Sequence, residues 1–388
     1  MFAYFPTNYV WNLSLNIALN TGGHFAEVMK ICEPLLAVSE QGDDAGTEEF
    51  FRSWTGFADK LVARAEAARE AGNTLSAGDM YHRASVYYLT AERMQSRHYE
   101  PRWEAYRKGI EAFHKGVQLG ERNCEIVEIP YEDTSLPGYF VKAEPVDGRP
   151  APVMVAYNGL DSMKEMIYGS GIATELARRG ISTLIVDHPG SGEALRLRGL
   201  TGYHDSERWS GPVIDYLEAR GDIDPDRIGV MAWSLGGYYA PRAAAFEKRF
   251  KLCVAWGANY NWGELQKRRL AREGDRPVPH YWDHVQWVFG KDSLEEFMNF
   301  APNMSLVGVV EKIEVPFLVT HGEEDTQIPL EYAHAQYEAA VNSPRRELKF
   351  FTSEEGGSMH ASADNMAVAT SFISDWIHSV LIESKTQA

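Results

Sequence analysis

The chain has 388 residues, of which 44% are hydrophobic and 24% charged, which predicts a globular protein long enough for one large α/β domain and a smaller accessory domain. Its formal net charge of −17 argues against nucleic acid or an anionic membrane as the main partner, because both attract basic surfaces. The three cysteines are widely spaced with no Cys-x-x-Cys pair, which indicates a reduced compartment, no disulfide framework and no zinc site. We therefore expect no metal and no other cofactor.

Residues 1–20 are apolar enough to need comparison with an export signal. No Lys or Arg precedes the apolar part, asparagines interrupt it, and no Ala-x-Ala cleavage site follows. No segment of the chain approaches the ~20 uninterrupted apolar residues of a membrane-spanning helix. The pattern predicts a buried arm or helix at this end of a cytoplasmic protein.

Residues 1–120 contain helical patterns and no strand-like run, so we expect an all-helical N-terminal domain. Three segments place apolar residues at intervals of three and four, and they begin WTGFADK, SAGDMYH and PRWEAYR. Gly72 suits the end of the first segment, and Pro101 suits the beginning of the third. The aromatic residues on these faces favour a core between helices, and the alternative is that they line a pocket.

Residues 121–388 change to a pattern of strands and predict an α/β domain. Two short alternating segments, CEIVEIPYED and LPGYFVKAEP, predict an antiparallel hairpin. Six uniformly apolar runs then alternate with helical stretches, which predicts a mostly parallel sheet flanked by crossover helices. The six runs are APVMVAYNG, ISTLIVDHPG, DRIGVMAWS, KLCVAWGAN, VPFLVTHGEED and ELKFFTSEEG. Residues 260–302 have no clear strand and predict a helical insertion over the end of the sheet.

The third of these runs leads into Ser234, two glycines further on and a predicted helix. Reactive groups of an open parallel sheet collect where the strands end, so this serine stands where a nucleophile is expected. A strand-to-helix turn of the Gly-x-Ser-x-Gly type needs small residues two places before and two places after the serine. Ala232 and Gly236 occupy those places, so the alanine weakens the motif without refuting it. The alternative is a serine that only packs a tight turn.

Two later strand ends supply the partners that a serine nucleophile needs. Asp325 follows VPFLVT, and His360 lies in the loop after ELKFF. The three residues therefore follow the chain order serine, acid, histidine of a known catalytic triad. In such a triad the imidazole takes the serine proton and the acid orients the imidazole. The residues that compete for these roles are Glu323 and Glu324 for the acid, His321 for the histidine and Ser191 for the serine. We interpret Ser191, which stands between glycines, as a structural turn residue.

Backbone N–H groups at two turns are candidates for binding a developing oxyanion. Leu235 begins the helix after the serine, and Gly159 or Leu160 follows the strand APVMVAY. Asp161 comes next and has two interpretations. It can cap a helix, alone or beside the Ser-x-x-Glu box of Ser162, or it can lie in the pocket.

Several motifs together resemble a known family. NGLDSMKE, DHPGSGE, WSLGG and HGEED, with the long helical N-terminal segment, are similar to those of the α/β-hydrolases related to 2,6-dihydroxypseudooxynicotine hydrolase. Fungal heptaketide-shortening hydrolases and fermentation-respiration switch esterases are similar as well. The resemblance covers most of the chain and implies an α/β-hydrolase fold with an N-terminal helical cap over the active site. It also implies Ser234, Asp325 and His360 as the triad, and a homodimer.

The resemblance also implies a catalytic role for Asp161, which falls where the nicotine-degrading member of the family has a glutamate. A carboxylate there would lie near the scissile bond and help to transfer a proton. Aspartate is one methylene shorter, and Ala232 replaces a glycine, so the identity of the substrate does not carry over.

The residues alone lead to a serine hydrolase that performs acyl transfer on a small molecule. The resemblance implies that the bond cleaved is a carbon–carbon bond next to a ketone, in an aromatic or polyketide-like compound of the β-diketone type. A carboxylesterase or lactonase acting on a small apolar ester is the alternative. A non-catalytic binding protein on the same fold is a more distant one.

Overall fold

The computed structural model describes residues 1–143 and 149–382. Glu144 and Pro145, which end the second segment of the predicted hairpin, lie outside the described residues, and so do residues 383–388. The chain forms two compact units. The first comprises Met1–Cys124 and Arg276–His284, and the second comprises Glu125–Asp275 and Val285–Ala388. Part of the predicted 260–302 insertion therefore belongs to the first unit.

The N-terminal part of the first unit is helical, as its apolar spacing predicts. Its α-helices are α1 (Tyr9–Asn20), α2 (Phe25–Cys32), α3 (Leu36–Ser39), α4 (Thr47–Glu70), α5 (Thr74–Arg93) and α6 (Pro101–Leu119), with a 3₁₀ turn at Glu33–Leu35. Aromatic rings from α1 and α4 form the centre of the core. Trp11 contacts Phe50 edge-on with ring centroids 5.1 Å apart, and Phe50 stacks on Trp54 at 5.3 Å.

The asparagines that interrupt the apolar N-terminus have a structural use. Asn12 donates to the Phe5 carbonyl at 2.7 Å and accepts from the Phe5 N–H at 2.9 Å. Asn16 donates to the Phe2 carbonyl at 2.7 Å and accepts from the Phe2 N–H at 3.2 Å. These side chains fasten the first residues to α1, because each replaces a missing backbone partner. In the described ranges, no helix has both the length and the apolar character needed to cross a membrane.

The second unit contains the sheet, and each predicted strand is present in it. The strands are β1 (Glu125–Tyr131), β2 (Thr134–Val141), β3 (Ala151–Tyr157), β4 (Ser182–Val186), β5 (Ile223–Trp233), β6 (Cys253–Trp256), β7 (Phe317–Gly322) and β8 (Arg346–Phe351). Over the described residues they form one sheet in the order β1-β2-β4-β3-β5-β6-β7-β8. The hairpin β1–β2 is antiparallel, β2 also pairs antiparallel with β4, and the other neighbours are parallel. The expectation of a mostly parallel sheet is confirmed.

The remaining α-helices lie between the parallel strands in the chain or follow the last strand. They are α7 (Lys164–Gly169), α8 (Ile172–Arg178), α9 (Gly192–Arg196), α10 (Glu207–Glu218), α11 (Gly236–Phe246), α12 (Trp262–Leu270), α13 (Tyr281–Val288), α14 (Leu294–Phe300), α15 (Leu330–Ala339) and α16 (Met366–Leu381). β5 lies at the centre, with Val230 opposite Val155 of β3 and Cys253 of β6. From Ile228 onward β5 is buried on both faces, as β6 is, and apolar residues fill these stretches without alternation. Their carboxyl ends lie along one edge, where polar loops follow.

Candidate active site

Ser234 occupies a strained turn between β5 and α11. Its φ angle is +59°, in the left-handed region that residues with a Cβ atom seldom adopt. Its N–H donates to the carbonyl of Trp256 on the neighbouring strand β6 at 2.8 Å, which fixes the turn to the sheet. Strain of this kind persists only where the surroundings hold it, and it concentrates at functional sites.

The small residues beside Ser234 are required by a close crossing of strand and helix. A Cβ atom added at Gly236 would lie 2.5 Å from the Ala232 Cβ and 2.9 Å from the Asn158 carbonyl oxygen. Ala232 fits at the first motif position because Gly236 has no side chain. The departure from the Gly-x-Ser-x-Gly pattern is thus accommodated in this turn.

The structure joins Ser234, His360 and Asp325 through two hydrogen bonds. Ser234 Oγ lies 2.8 Å from His360 Nε2, and His360 Nδ1 lies 2.9 Å from Asp325 Oδ2. The serine is half-buried, the histidine is buried, and the carboxylate is 1% exposed. With Nδ1 protonated, His360 can accept the serine proton at Nε2, so the arrangement can generate a serine nucleophile.

The Asp325 carboxylate is held ionised in the interior by its partners. Its Oδ1 accepts from the N–H of Gln327 at 2.8 Å and of Ile328 at 3.0 Å. Burial alone would raise the pKa of Asp325, but the nearby His360 and His321 and these hydrogen bonds hold that pKa below its usual value. A fixed negative charge therefore faces His360 Nδ1.

The acids that compete with Asp325 in the sequence have other partners. Glu323 Oε1 accepts from the Ser353 N–H at 2.5 Å, and Glu324 Oε2 accepts from Ser358 Oγ at 2.6 Å. Both contacts tie the loop after β7 to the segment after β8.

His321, the competing histidine, is fully engaged as a structural residue. Burial lowers the pKa of its imidazole, which favours the neutral form. Its Nδ1 accepts from the Ala258 N–H at 3.2 Å, and its Nε2 lies 3.1 Å from the Ile328 carbonyl. Ser191, the competing serine, is 1% exposed and donates to the His188 carbonyl at 2.8 Å, in agreement with its interpretation as a turn residue.

The two candidate turns for an oxyanion-binding N–H differ in their available donors. Gly159 lies against the serine, since a Cβ added to it would be 2.9 Å from the Ser234 Cβ. However, the Gly159 N–H already donates to Ser162 Oγ at 2.9 Å, so the expectation that Gly159 supplies a donor is corrected. Within residues 1–143 and 149–382, neither the Leu160 nor the Leu235 N–H donates a hydrogen bond to another residue. Those two N–H groups are the remaining candidates.

Asp161 is buried, with 8% of its surface exposed, and does not begin a helix. The nearest helix, α7, has Met163 at its N-cap position, and the N–H of its first residue, Lys164, donates to Asp187 Oδ1 at 2.8 Å. The Ser-x-x-Glu pattern is not a capping box either, since Ser162 bonds to Gly159 and Trp233 while Glu165 accepts from Tyr139 at 2.5 Å. The capping-box interpretation of Ser162 is therefore wrong, and the N-cap position of α7 is held by Met163 rather than by Asp161.

Sequence reasoning missed a set of polar residues next to this site. Asn158 follows β3 and Asp187 follows β4, and Asn158 Nδ2 donates to Asp187 Oδ1 at 2.8 Å. Lys164 contacts the same carboxylate with its N–H at 2.8 Å and its Nζ at 3.2 Å. The signal was available, because both Asn158 and Asp187 are the first polar residues after neighbouring apolar runs.

Among the described residues, no group of three or more His, Cys, Asp or Glu side chains is arranged to hold a metal ion.

Comparison with known proteins gives matches over most of the chain. The model of the prolyl oligopeptidase family matches residues 172–383, and that of the FrsA-like esterases matches residues 48–262. The hydrolase acrC of Aspergillus aculeatus is 29% identical over 416 residues, covering 95% of this chain and 95% of that protein. The 2,6-dihydropseudooxynicotine hydrolase of Paenarthrobacter nicotinovorans is 27% identical over 343 residues, covering 87% and 86% of the two chains.

A solved structure is also similar to this chain. The crystal structure of 2,6-dihydroxy-pseudo-oxynicotine hydrolase aligns with a TM-score of 0.77, over 95% of this chain and 96% of that chain, at 23% identity. At this level of identity the match shows a shared fold.

Proposed function

Because this chain belongs to the prolyl oligopeptidase family and to the FrsA-like esterases, and is therefore an α/β-hydrolase enzyme, we propose that it is a serine hydrolase. In this proposal Ser234 is the nucleophile, His360 is the general base, and Asp325 is the acid that orients the histidine. The observation that carries the proposal is the unbroken pair of hydrogen bonds, 2.8 Å from Ser234 to His360 and 2.9 Å from His360 to Asp325.

The proposed reaction begins when Ser234 Oγ attacks a ketone or ester carbonyl and His360 takes its proton. The carbonyl oxygen becomes an oxyanion, for which the N–H groups of Leu235 and Leu160 are the donors. Collapse of the tetrahedral intermediate breaks the bond to the leaving group, which takes the proton from His360. Water then attacks the acyl-enzyme with His360 as base, releases a carboxylic acid and restores Ser234.

For the bond cleaved, we propose a carbon–carbon bond next to a ketone in a β-diketone-type aromatic or polyketide-like molecule. The support is similarity over 87% of this chain to a protein named 2,6-dihydropseudooxynicotine hydrolase, together with the resemblance of the NGLDSMKE stretch around Asp161 to the family of that enzyme. In such a substrate the leaving carbanion is an enolate of the second ketone, and protonation of its carbon gives a neutral ketone. Asp161 would help to deliver that proton.

Ester or lactone cleavage is the second candidate, because the match to the FrsA-like esterases favours it. The same nucleophile, base and oxyanion donors serve both reactions. Only the leaving group differs, since an alkoxide is protonated on oxygen and an enolate on carbon. Asp161 therefore separates the two candidates more sharply than the triad does.

The test compares 1-phenyl-1,3-butanedione with p-nitrophenyl butyrate as substrates of the wild type, Ser234→Ala and Asp161→Asn. We expect the wild type to release a carboxylic acid from the diketone and Ser234→Ala to be inactive on both compounds. Asp161→Asn should lower diketone cleavage by about tenfold or more and change ester hydrolysis by less than about threefold. Equal effects of Asp161→Asn on both substrates would contradict the proposed proton transfer, and turnover of the ester alone would favour the second candidate.

A further inference from the structure

Residues 158–162, here called the 158–162 loop, are held together by hydrogen bonds to one hydroxyl group. Ser162 Oγ accepts from the Gly159 N–H at 2.9 Å and donates to Asn158 Oδ1 at 2.9 Å. It also accepts from Trp233 Nε1 at 2.9 Å, and Trp233 is the residue before Ser234. Ser162, which is 5% exposed, therefore connects the loop after β3 to the end of β5.

The Asn158 amide is fixed by a second set of contacts. Its Nδ2 donates to Asp187 Oδ1 at 2.8 Å and to the Val186 carbonyl at 3.2 Å. With both partners of the NH₂ group being acceptors, Oδ1 must face Ser162, so the amide has one possible orientation. The Asn158 carbonyl in turn lies 3.2 Å from His188 Nε2.

Asp187 is completely buried and has four hydrogen-bond donors. Besides Asn158, Oδ1 accepts from the Lys164 N–H at 2.8 Å, and Oδ2 accepts from Lys164 Nζ at 3.2 Å and from the Glu193 N–H at 2.8 Å. Lys164 is itself 1% exposed and also contacts Glu165 at 2.9 Å and Glu193 at 3.0 Å. Burial raises the pKa of Glu165.

A buried ion pair of this kind is weak evidence for stability, because the loss of hydration offsets much of the attraction between the charges. Its position suggests a different role. The contacts run from Lys164 to Asp187, then to Asn158, and from there to Ser162, and they end at the Gly159 N–H and the Trp233 indole. They occupy the Gly159 N–H and leave the next N–H, that of Leu160, without an acceptor within the described chain.

We infer that Lys164, Asp187, Asn158 and Ser162 are positioning residues, which hold the 158–162 loop in the shape that keeps the Leu160 N–H available to the oxyanion. The inference rests on the proposed function, because it needs an oxyanion to form at Ser234. None of the four touches the reacting atoms in this account. A fixed donor stabilises the transition state more than a mobile one, since no reorganisation is needed when the charge develops.

The experiment measures turnover of p-nitrophenyl butyrate and inhibition by an aryl trifluoromethyl ketone, which forms a tetrahedral oxyanion adduct with a serine. For Ser162→Ala we expect kcat to fall by about 10- to 100-fold and the inhibition constant to rise by a similar factor. KM should change by less than about threefold, because the ground-state ester carries no full negative charge. Ser162→Thr keeps the hydroxyl group and should recover most of the loss.

The matched control is Ser210→Ala, which removes another buried hydroxyl of the second unit. Ser210 Oγ accepts from Tyr157 at 3.0 Å and donates to the Ser206 carbonyl at 2.8 Å. This control should lower the melting temperature about as much as Ser162→Ala while leaving kcat and the inhibition constant near wild type. Asp187→Asn disrupts the same set of hydrogen bonds at another residue. Its effect on kcat should be less than additive with that of Ser162→Ala.

Two results would overturn the inference, and they are distinguishable. If the wild type turns over the ester but Ser162→Ala changes kcat no more than Ser210→Ala does, the positioning role is wrong and the proposed function stands. If the folded wild type turns over neither the ester nor 1-phenyl-1,3-butanedione and does not bind the trifluoromethyl ketone, the proposed function fails and the positioning role fails with it.

Discussion

His360 Nδ1 lies 2.9 Å from Asp325 Oδ2, and this contact joins the loops that follow β7 and β8. The aspartate side chain is 1% exposed and accepts two further backbone N–H bonds, which also hold it in place. A histidine held in this way has one defined tautomer, with Nε2 directed at Ser234.

Replacing the aspartate tests the importance of that tautomer. Asp325→Asn should lower kcat by about 10³- to 10⁴-fold, because the amide can no longer fix the proton on Nδ1 and cannot support the imidazolium. The measurement is the initial rate with p-nitrophenyl butyrate. Glu324→Gln is the control, since the Glu324 carboxylate accepts from Ser358 Oγ, and this variant should keep nearly full activity. A large loss of activity in Glu324→Gln with little loss in Asp325→Asn would show that Asp325 is not the acid that orients the histidine.

The crossing of β5 and α11 predicts an asymmetry between the two small residues of the turn. Gly236→Ala should destabilise the fold by about 1–3 kcal/mol and abolish most activity, because its Cβ has no room. Ala232→Gly removes an atom and should change activity by less than about threefold. In the double variant, the contact of 2.5 Å with the Ala232 Cβ is gone but that of 2.9 Å with the Asn158 carbonyl remains. Partial recovery of activity is therefore expected, and no recovery at all would contradict this packing.

A buried histidine makes the first unit sensitive to mild acid. Burial lowers the pKa of His82 to about 4 in the folded protein. In the unfolded chain the same side chain has a pKa of about 6.5. Between those values the unfolded state binds more protons than the folded one, so stability is complete above about pH 6.5 and falls as the pH approaches 4, by up to about 3 kcal/mol. Hydrogen exchange of α5 at pH 7 and pH 4.5 measures the effect. His82→Gln should remove the pH dependence, and an equal slope in this variant would refute the assignment.

The sequence was sufficient to predict the sheet and its polar edge. Strands buried on both faces are uniformly apolar, so their runs are visible, and the residues that follow β5 and β7 include Ser234 and Asp325. His360 follows β8, which is only partly buried and contains Arg346, Glu347 and Lys349, so the expectation of a uniformly apolar run is wrong for this strand. The pairing of β2 with β4 was not predictable in this way, because it depends on contacts between distant segments. The placement of residues 276–284 with the first unit was missed for the same reason.

The interpretation of the 158–162 loop failed for a local reason. Ser-x-x-Glu is a capping pattern only when its serine turns toward the following helix. Here Ser162 has partners that this short pattern does not contain, among them Trp233, which is 71 residues away in sequence. The direction of a hydroxyl group depends on such neighbours. The hydrogen bond that occupies the Gly159 N–H could therefore not be predicted from the sequence.

Covalent labelling by a fluorophosphonate, mapped by peptide mass spectrometry, shows which serine is the nucleophile. We expect one phosphonate adduct on the wild-type enzyme, on the peptide that contains Ser234, and none on Ser234→Ala. We also expect normal labelling of Ser191→Ala, since Ser191 is buried in a turn. Absence of an adduct on the folded wild type, or an adduct that persists in Ser234→Ala, would contradict the assignment of Ser234 as the nucleophile.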